Sequence, residues 1–176
     1  MGKKQKQENE NIIEKIRVKY SYAKEDACID ENCELKLNGY ADFVILKGEK
    51  IINKDVKKCD FIVFINDNEI KIVISEHKTT NFDVYDIIEK LQNSSTPAFQ
   101  ILIENDSINK IHFFFIALAK KWDSDKLQIL TNKKYRISLN SKKYMIIPNY
   151  CGKSFNDILK KFKTSKHNTS NLITKK

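Results

Sequence analysis

The chain is poor in the residues that interrupt structure: among 176 residues there are only four glycines and two prolines. That composition leaves no room for a flexible interdomain linker. The start, MGKKQKQENE, lacks the apolar core of a signal peptide, and Lys6 breaks the myristoylation pattern that begins Met-Gly. The longest apolar run, Ile111 to Ala119 with His112 inside it, is far too short to cross a bilayer. A cytoplasmic protein without a membrane partner is the expectation. The four cysteines, at 28, 33, 59 and 151, lack the paired Cys-x-x-Cys spacing of a zinc site. Cys28 and Cys33 are near enough to meet, but free thiols serving as small buried hydrophobes are the expected state. Three histidines, at 77, 112 and 167, are too scattered for a zinc cluster or for a HUH or His-Asn-His nuclease. There is no Gly-rich phosphate loop, no Ser-His-Asp arrangement and no internal repeat.

What is present is a chain with 41% hydrophobic residues, enough for one compact α/β core. The domain is expected over residues 8–164, with flexible basic tails at 1–7 and 165–176. A net charge of +9 and a pI near 9.2 favour a polyanionic partner, nucleic acid first and an anionic membrane surface second. Lys160, Lys161, Lys163 and Lys166, on and beyond the last amphipathic segment, are the candidate phosphate contacts.

The chain is organised around CDFIVFINDNEIKIVISEHKTT, residues Cys59 to Thr80. Asp60 heads the apolar run Phe61 to Ile65, long enough for one buried strand. Asn66, Asp67 and Asn68 then provide a turn, and Ile70 to Ser75 return as a second strand. Its end delivers Glu76, His77 and Lys78. Strand side chains alternate, so Glu76 and Lys78 share a face and His77 takes the other. Pairing Asp60 opposite Glu76 requires an odd number of loop residues, three or five, because a register shift of one moves the carboxylate across the sheet.

An Asp at the head of one strand, then Glu-x-Lys at the end of the next, then a helix, resembles the PD-(D/E)XK nuclease superfamily, the restriction-endonuclease-like fold. The resemblance covers roughly residues 11–119, and Cys59 stands where the motif has proline. It implies an αβββαβ core with a mixed central sheet flanked by helices. It implies Asp60, Glu76 and Lys78 as catalytic residues of a Mg²⁺- or Mn²⁺-dependent nuclease acting on nucleic acid, DNA first. Asp60, Glu76 and the main-chain carbonyl of His77 would be the metal ligands, which suits an ion that accepts one or two carboxylates and keeps several waters. Glu14 and Glu10 on the first helix, and Gln92 or Lys90 on the helix after the triplet, are weaker candidates that the resemblance adds. Many nucleases of this type act as dimers, so a homodimer is a possible state. The alternative function is a non-catalytic nucleic-acid-binding protein with a nuclease-like fold.

Other elements follow from pattern. A helix is expected from about Glu8 to Val18. Leu35 to Leu46 reads as strand, broken by a hairpin turn at Asn38-Gly39, and Ile51 and Ile52 as a strand extension. Asp42, in a run similar to that around Asp60, is a rival aspartate. Phe82 to Leu91 is helical, capped by Thr80 or Asn81, ending near Asn93 before Ser94-Ser95-Thr96-Pro97. Ile111 to Ala119 is a buried strand. Leu127 to Leu130, Tyr135 to Leu139 and Tyr144 to Pro148 form an antiparallel extension, and Ser154 caps a last helix with Phe155, Ile158, Leu159 and Phe162 on its apolar side.

Overall fold

The computed structural model describes residues 12–104 and 110–170, with 164–170 as backbone only. Glu10, with the start of the expected first helix, the whole expected tail 1–7 and residues 171–176 of the other tail lie outside the described residues, and the Lys166 side chain is not described. Helix α1 includes residues 12–19 and presents Ile12, Ile13 and Ile16 to the interior. Short strands β1 (Lys24–Glu25), β2 (Cys28–Asp30) and β3 (Cys33–Leu35) follow, then β4 (Asp42–Lys47) and the one-turn helix α2 (Gly48–Ile51). The central hairpin is β5 (Phe61–Asp67) and β6 (Glu69–Lys78). Helix α3 (Val84–Ile103) leads to β7 (Ile111–Ala119), α4 (Ser124–Thr131), the hairpin β8 (Ile137–Leu139) and β9 (Lys142–Tyr144), then β10 (Ile146–Tyr150) and α5 (Phe155–Ser170).

The main sheet has the order β1-β4-β5-β6-β7-β10. β4, β5 and β6 form an antiparallel meander, while β6, β7 and β10 run parallel, so the sheet is mixed. Alternation along the strands feeds two cores. Val44, Ile62, Phe64, Ile72, Ile74 and Phe115 face α1, α3 and α4; Ile45, Phe61, Val63, Val73, Ile116 and Leu118 face α5 and the β2–β3 hairpin. Both faces being covered explains why β5 reads as an unbroken apolar run rather than an alternating one. Burial of each such Ile, Val or Phe contributes about 1.5–3 kcal/mol.

The hairpin register is the expected one, but the loop is shorter than the three or five residues expected. Phe61 pairs with Ser75, and the ladder continues to Asp67 opposite Glu69, leaving Asn68 alone at the tip with φ of 59°. Several other expectations are corrected. α3 does not stop at Asn93 but carries Pro97 inside it to Ile103, because Ala98, Ile101 and Leu102 continue its buried stripe. Ser94 Oγ donates to the Lys90 carbonyl and Ser95 Oγ to that of Gln92, so the serines are satisfied within the helix. Its cap is Asp83, which accepts the Tyr85 N–H at 2.9 Å, not Thr80 or Asn81. Leu127 to Leu130 is helical, in α4. Only β8 and β9 form the antiparallel appendage, with Asn140 and Ser141 in the left-handed region of its turn, whereas β10 joins the main sheet beside β7. Asn38-Gly39 is a turn but no hairpin, since β3 pairs with β2 and β4 with β1 and β5. Ile51 ends α2 instead of extending a strand. α5 begins as expected, with Ser154 Oγ accepting the Asp157 N–H, and its backbone continues to Ser170. Among the described residues, no helix is long and apolar enough to cross a membrane.

The cysteines also depart from expectation. Cys33 and Cys151 form a disulfide across 118 residues, while Cys28 and Cys59 are free and buried. Disulfides are rare in most cytosols, so this crosslink and the expected cytoplasmic location pull in different directions. Closing so long a loop should stabilise the fold by about 2–4 kcal/mol through the unfolded chain. Cys151→Ser is therefore expected to lose that amount in urea unfolding without reductant, and dithiothreitol should bring the wild type down to match. Equal midpoints for wild type and variant in both conditions would show that the crosslink does not form.

Candidate acidic site at the end of the central hairpin

β5 begins at Phe61 opposite Ser75 while β6 runs on to Lys78, and continuing the ladder one step beyond Phe61 sets Asp60 beside Glu76. Asp60 does not simply extend the strand: its Oδ2 accepts the His77 N–H at 2.7 Å. Its own carbonyl accepts the Gly48 N–H at 2.9 Å. Gly48 permits that approach because a Cβ there would lie 2.0 Å from the Cys59 carbonyl oxygen. Cys59, in the motif's proline position, donates its N–H to Ser94 Oγ at 2.9 Å. Proline has no N–H to give, so in this chain the α3 contact and the motif proline exclude one another.

Glu76 is wholly buried on the face covered by α3. Its Oε1 is 2.7 Å from Lys78 Nζ and 2.8 Å from Lys90 Nζ. The expected sharing of a face by Glu76 and Lys78 is thus realised as an ion pair. Glu76 Oε2 is buried without a hydrogen-bond partner. Burial alone would lower Lys90, but the Glu76 carboxylate outweighs it and holds the ammonium above its ordinary range. Lys90 also meets Asp86 at 3.3 Å, and Asp86 meets Lys57 at 3.2 Å. Beside this cluster opens a cleft of about 350 Å³ whose lining includes Lys57, Lys78, Thr79 and Asp86.

His77 points to the opposite face, as alternation requires. Its Nδ1 lies 2.9 Å from the Cys33 carbonyl and its Nε2 3.2 Å from Ser75 Oγ. A carbonyl only accepts, so Nδ1 carries the proton and Nε2 accepts from the serine hydroxyl. Burial depresses its pKa to about 4 and keeps it neutral. In an extended strand the N–H and C=O of one residue leave by the same edge. The His77 carbonyl therefore faces the Asp60 side, where β5 has ended.

The other candidates are sorted by the fold. Asp42 pairs with Asn66 at the far end of β4, about 20 Å along the strands from the level of Asp60. It binds Arg17 and Asn66 instead. Glu14 is exposed and paired with Arg17, so it belongs to that far end. Gln92 is turned away: its amide exchanges two 2.9 Å hydrogen bonds with the Ser138 backbone, clipping α3 to β8. Lys90 is the α3 residue that reaches Glu76. Lys160, Lys161 and Lys163 lie along α5, which starts beside Cys151 and carries Phe162 to the Ile111 end of β7, away from Asp60. Sequence reasoning did not name Ser94, Gly48 or the Cys33 carbonyl. The spacing of Lys90 and Ser94, one helical turn apart on the helix after the triplet, was the available signal.

Among the described residues, no three His, Cys, Asp or Glu side chains converge to hold a metal ion. The oxygens that could face a cation are those of Asp60, Glu76 Oε2 and the His77 carbonyl. Burial first, and the Glu76 charge second, raise the Asp60 pKa from 3.8 to about 7, against the lowering effect of the His77 N–H. A folded-state value above the unfolded one stabilises fully below the unfolded pKa, and that contribution is lost as pH rises through 7. Between pH 5 and 8, in EDTA, wild type should lose stability relative to Asp60→Asn by on the order of 2 kcal/mol. Parallel pH profiles in urea unfolding would show that Asp60 is not so perturbed.

No protein-family model matches this chain, and no characterised protein or solved structure matches it either.

Proposed function

We propose that the chain is a Mg²⁺- or Mn²⁺-dependent nuclease that hydrolyses phosphodiester bonds, DNA being the first substrate to test. The observation that carries this reading is the convergence of Asp60 on the backbone between Glu76 and Lys78, at the end of two buried strands and beside a cleft. The element order supports it: with β1–β3 and α2 set aside as insertions, α1, β4, β5, β6, α3 and β7 follow the αβββαβ sequence that the nuclease resemblance implies. So does charge. Lys120 and Lys121 follow β7 and Lys153 follows β10, all exposed, with no ion pair among the described residues. The Lys120 N–H donates to the Lys78 carbonyl, which puts this lysine pair at the same end of the sheet as the acidic cluster.

Asp60, Glu76 Oε2 and the His77 carbonyl would hold the ion, a donor set suited to Mg²⁺ with water and phosphate completing its shell. When bound, it would supply charge against the phosphoryl oxygens and an acidified water. Lys78 can orient a phosphate oxygen as a point charge, and Lys90 holds the Glu76 carboxylate in place at 2.8 Å. The lysine clamp on Glu76 favours a second reading, because an acid already neutralised by two ammoniums suits a scaffold. That reading is a non-catalytic nucleic-acid-binding protein.

Alanine at Glu76 would leave Lys78 and Lys90 facing a cavity and cost several kcal/mol of stability, so the isosteric Glu76→Gln is the better probe. Labelled single- and double-stranded DNA and RNA should be cleaved with Mg²⁺ or Mn²⁺ and not with EDTA. Glu76→Gln and Lys78→Ala should each lower the rate about a hundredfold or more while circular dichroism stays native. Salt-sensitive binding without cleavage of any substrate would establish the second reading. Neither binding nor cleavage would overturn both.

A further inference from the structure

The end of the sheet remote from Asp60 holds a second feature. A cavity of about 500 Å³ lies between the first half of β7, the β8–β9 hairpin, β10 and α5. It is about 20 Å along the strands from the acidic cluster, since Ile111 pairs with Ile70 and Ala117 with Glu76. Its volume is that of a small-molecule site, on the order of 300–1,000 Å³. Its lining includes the basic side chains Arg136, Lys142 and Lys143 together with His112, and no Asp or Glu. His112 is occupied by Glu69 at 2.7 Å. The other three make no ion pair among the described residues.

Arg136 gives the stronger indication. The chain has only two arginines, and the other, Arg17, is held by Glu14 and Asp42. Arg136 Nε is buried with no hydrogen-bond partner. A buried donor left unmade costs about 1–3 kcal/mol, which an incoming anion would relieve. Arg136 shares the cavity lining with Lys142 and Lys143, and a guanidinium matches phosphate through paired N–H bonds. The rest of the lining is hydrophobic, and Phe113, Phe114, Tyr144 and Phe162 in it are aromatic. Tyr144 and Phe162 are both half-buried at the cavity, a surface suited to stacking a flat ring.

We infer that this cavity binds a nucleotide, its phosphate on Arg136, Lys142 and Lys143 and its base against Tyr144 or Phe162. The unit is either a free mononucleotide or one residue of a single strand, both offering the same phosphate and base. The inference does not depend on cleavage at Asp60.

Isothermal titration of the full chain with AMP, inorganic phosphate and a short single-stranded oligonucleotide tests it. AMP should bind with a dissociation constant below about 1 mM and at least about tenfold more tightly than phosphate. Arg136→Gln should weaken AMP about tenfold or more. Lys142→Gln with Lys143→Gln, on an exposed hairpin, should weaken it similarly and serves if Arg136→Gln misfolds. Oligonucleotide binding tighter than AMP, and lost in the same variants, identifies a strand as the source; AMP binding alone identifies the free nucleotide. No heat with any ligand, phosphate binding as tightly as AMP, or folded variants that bind like wild type would each overturn the inference.

Discussion

The double ion pair on the buried Glu76 carboxylate is the constraint to which this end of the molecule is fitted. A carboxylate removed from water costs several kcal/mol unless opposite charge and hydrogen bonds replace its hydration. Strand alternation brings Lys78 to it without further help. Lys90 can reach it only if α3 docks at one rotation. That rotation sends Ile87 and Leu91 into the core, leaves Asp86 toward Lys57, and places Ser94 against the Cys59 N–H. One electrostatic demand thereby fixes the phase of a helix and the height of the segment leading into Asp60.

Such clusters contribute little net stability compared with an apolar core of equal volume. Here the arrangement is also incomplete. Both lysines sit on Oε1, Oε2 has no partner, and Asp60 is pushed toward protonation by burial and by the same carboxylate. A structure built only for stability would have met those needs with one more donor. Two neighbouring acids, of which only Glu76 Oε1 is met by lysines, next to an edge carbonyl, are the arrangement on which the proposed metal site rests.

The centre of the fold was legible because its determinants are local. The parity of the turn, the alternation of Glu76, His77 and Lys78, and the apolar stripes of α3 and α5 all follow from residues a few positions apart. Where tertiary packing decided, the sequence misled. Pro97 and its serines look like a stop, yet the stripe beyond them has a core to enter. Leu127 to Leu130 is short enough to pass for a strand, and only Leu130 of it is buried. β10 could not be told from the hairpin before it, because its partner β7 lies a crossover away. The Cys33–Cys151 pair spans 118 residues, a separation at which spacing carries no information. In the site, the motif residues were readable and Ser94 stands one helical turn from Lys90, while Gly48 and the Cys33 carbonyl act through backbone approach that no pattern marks.

Net charge is the least direct of these signals, since what matters is which cations remain unpaired. Near the acidic cluster, Lys47 is held by Asp30, Lys57 by Asp86 and Glu89, and Lys78 and Lys90 by Glu76. These lysines raise the formal charge without offering much of it to a partner. Among the described residues, the cations without an ion pair include Lys120, Lys121 and Lys153 past the carboxyl ends of β7 and β10, and Lys142 and Lys143 with Arg136 at the opposite end of the same strands. A polyanion meeting the first group would be steered toward Asp60, and its binding would weaken steeply with salt, as release of condensed counterions requires. A single nucleotide seated in the second group displaces no such atmosphere, so its affinity would depend far less on ionic strength. The two proposed modes of anion recognition are therefore separable by salt alone.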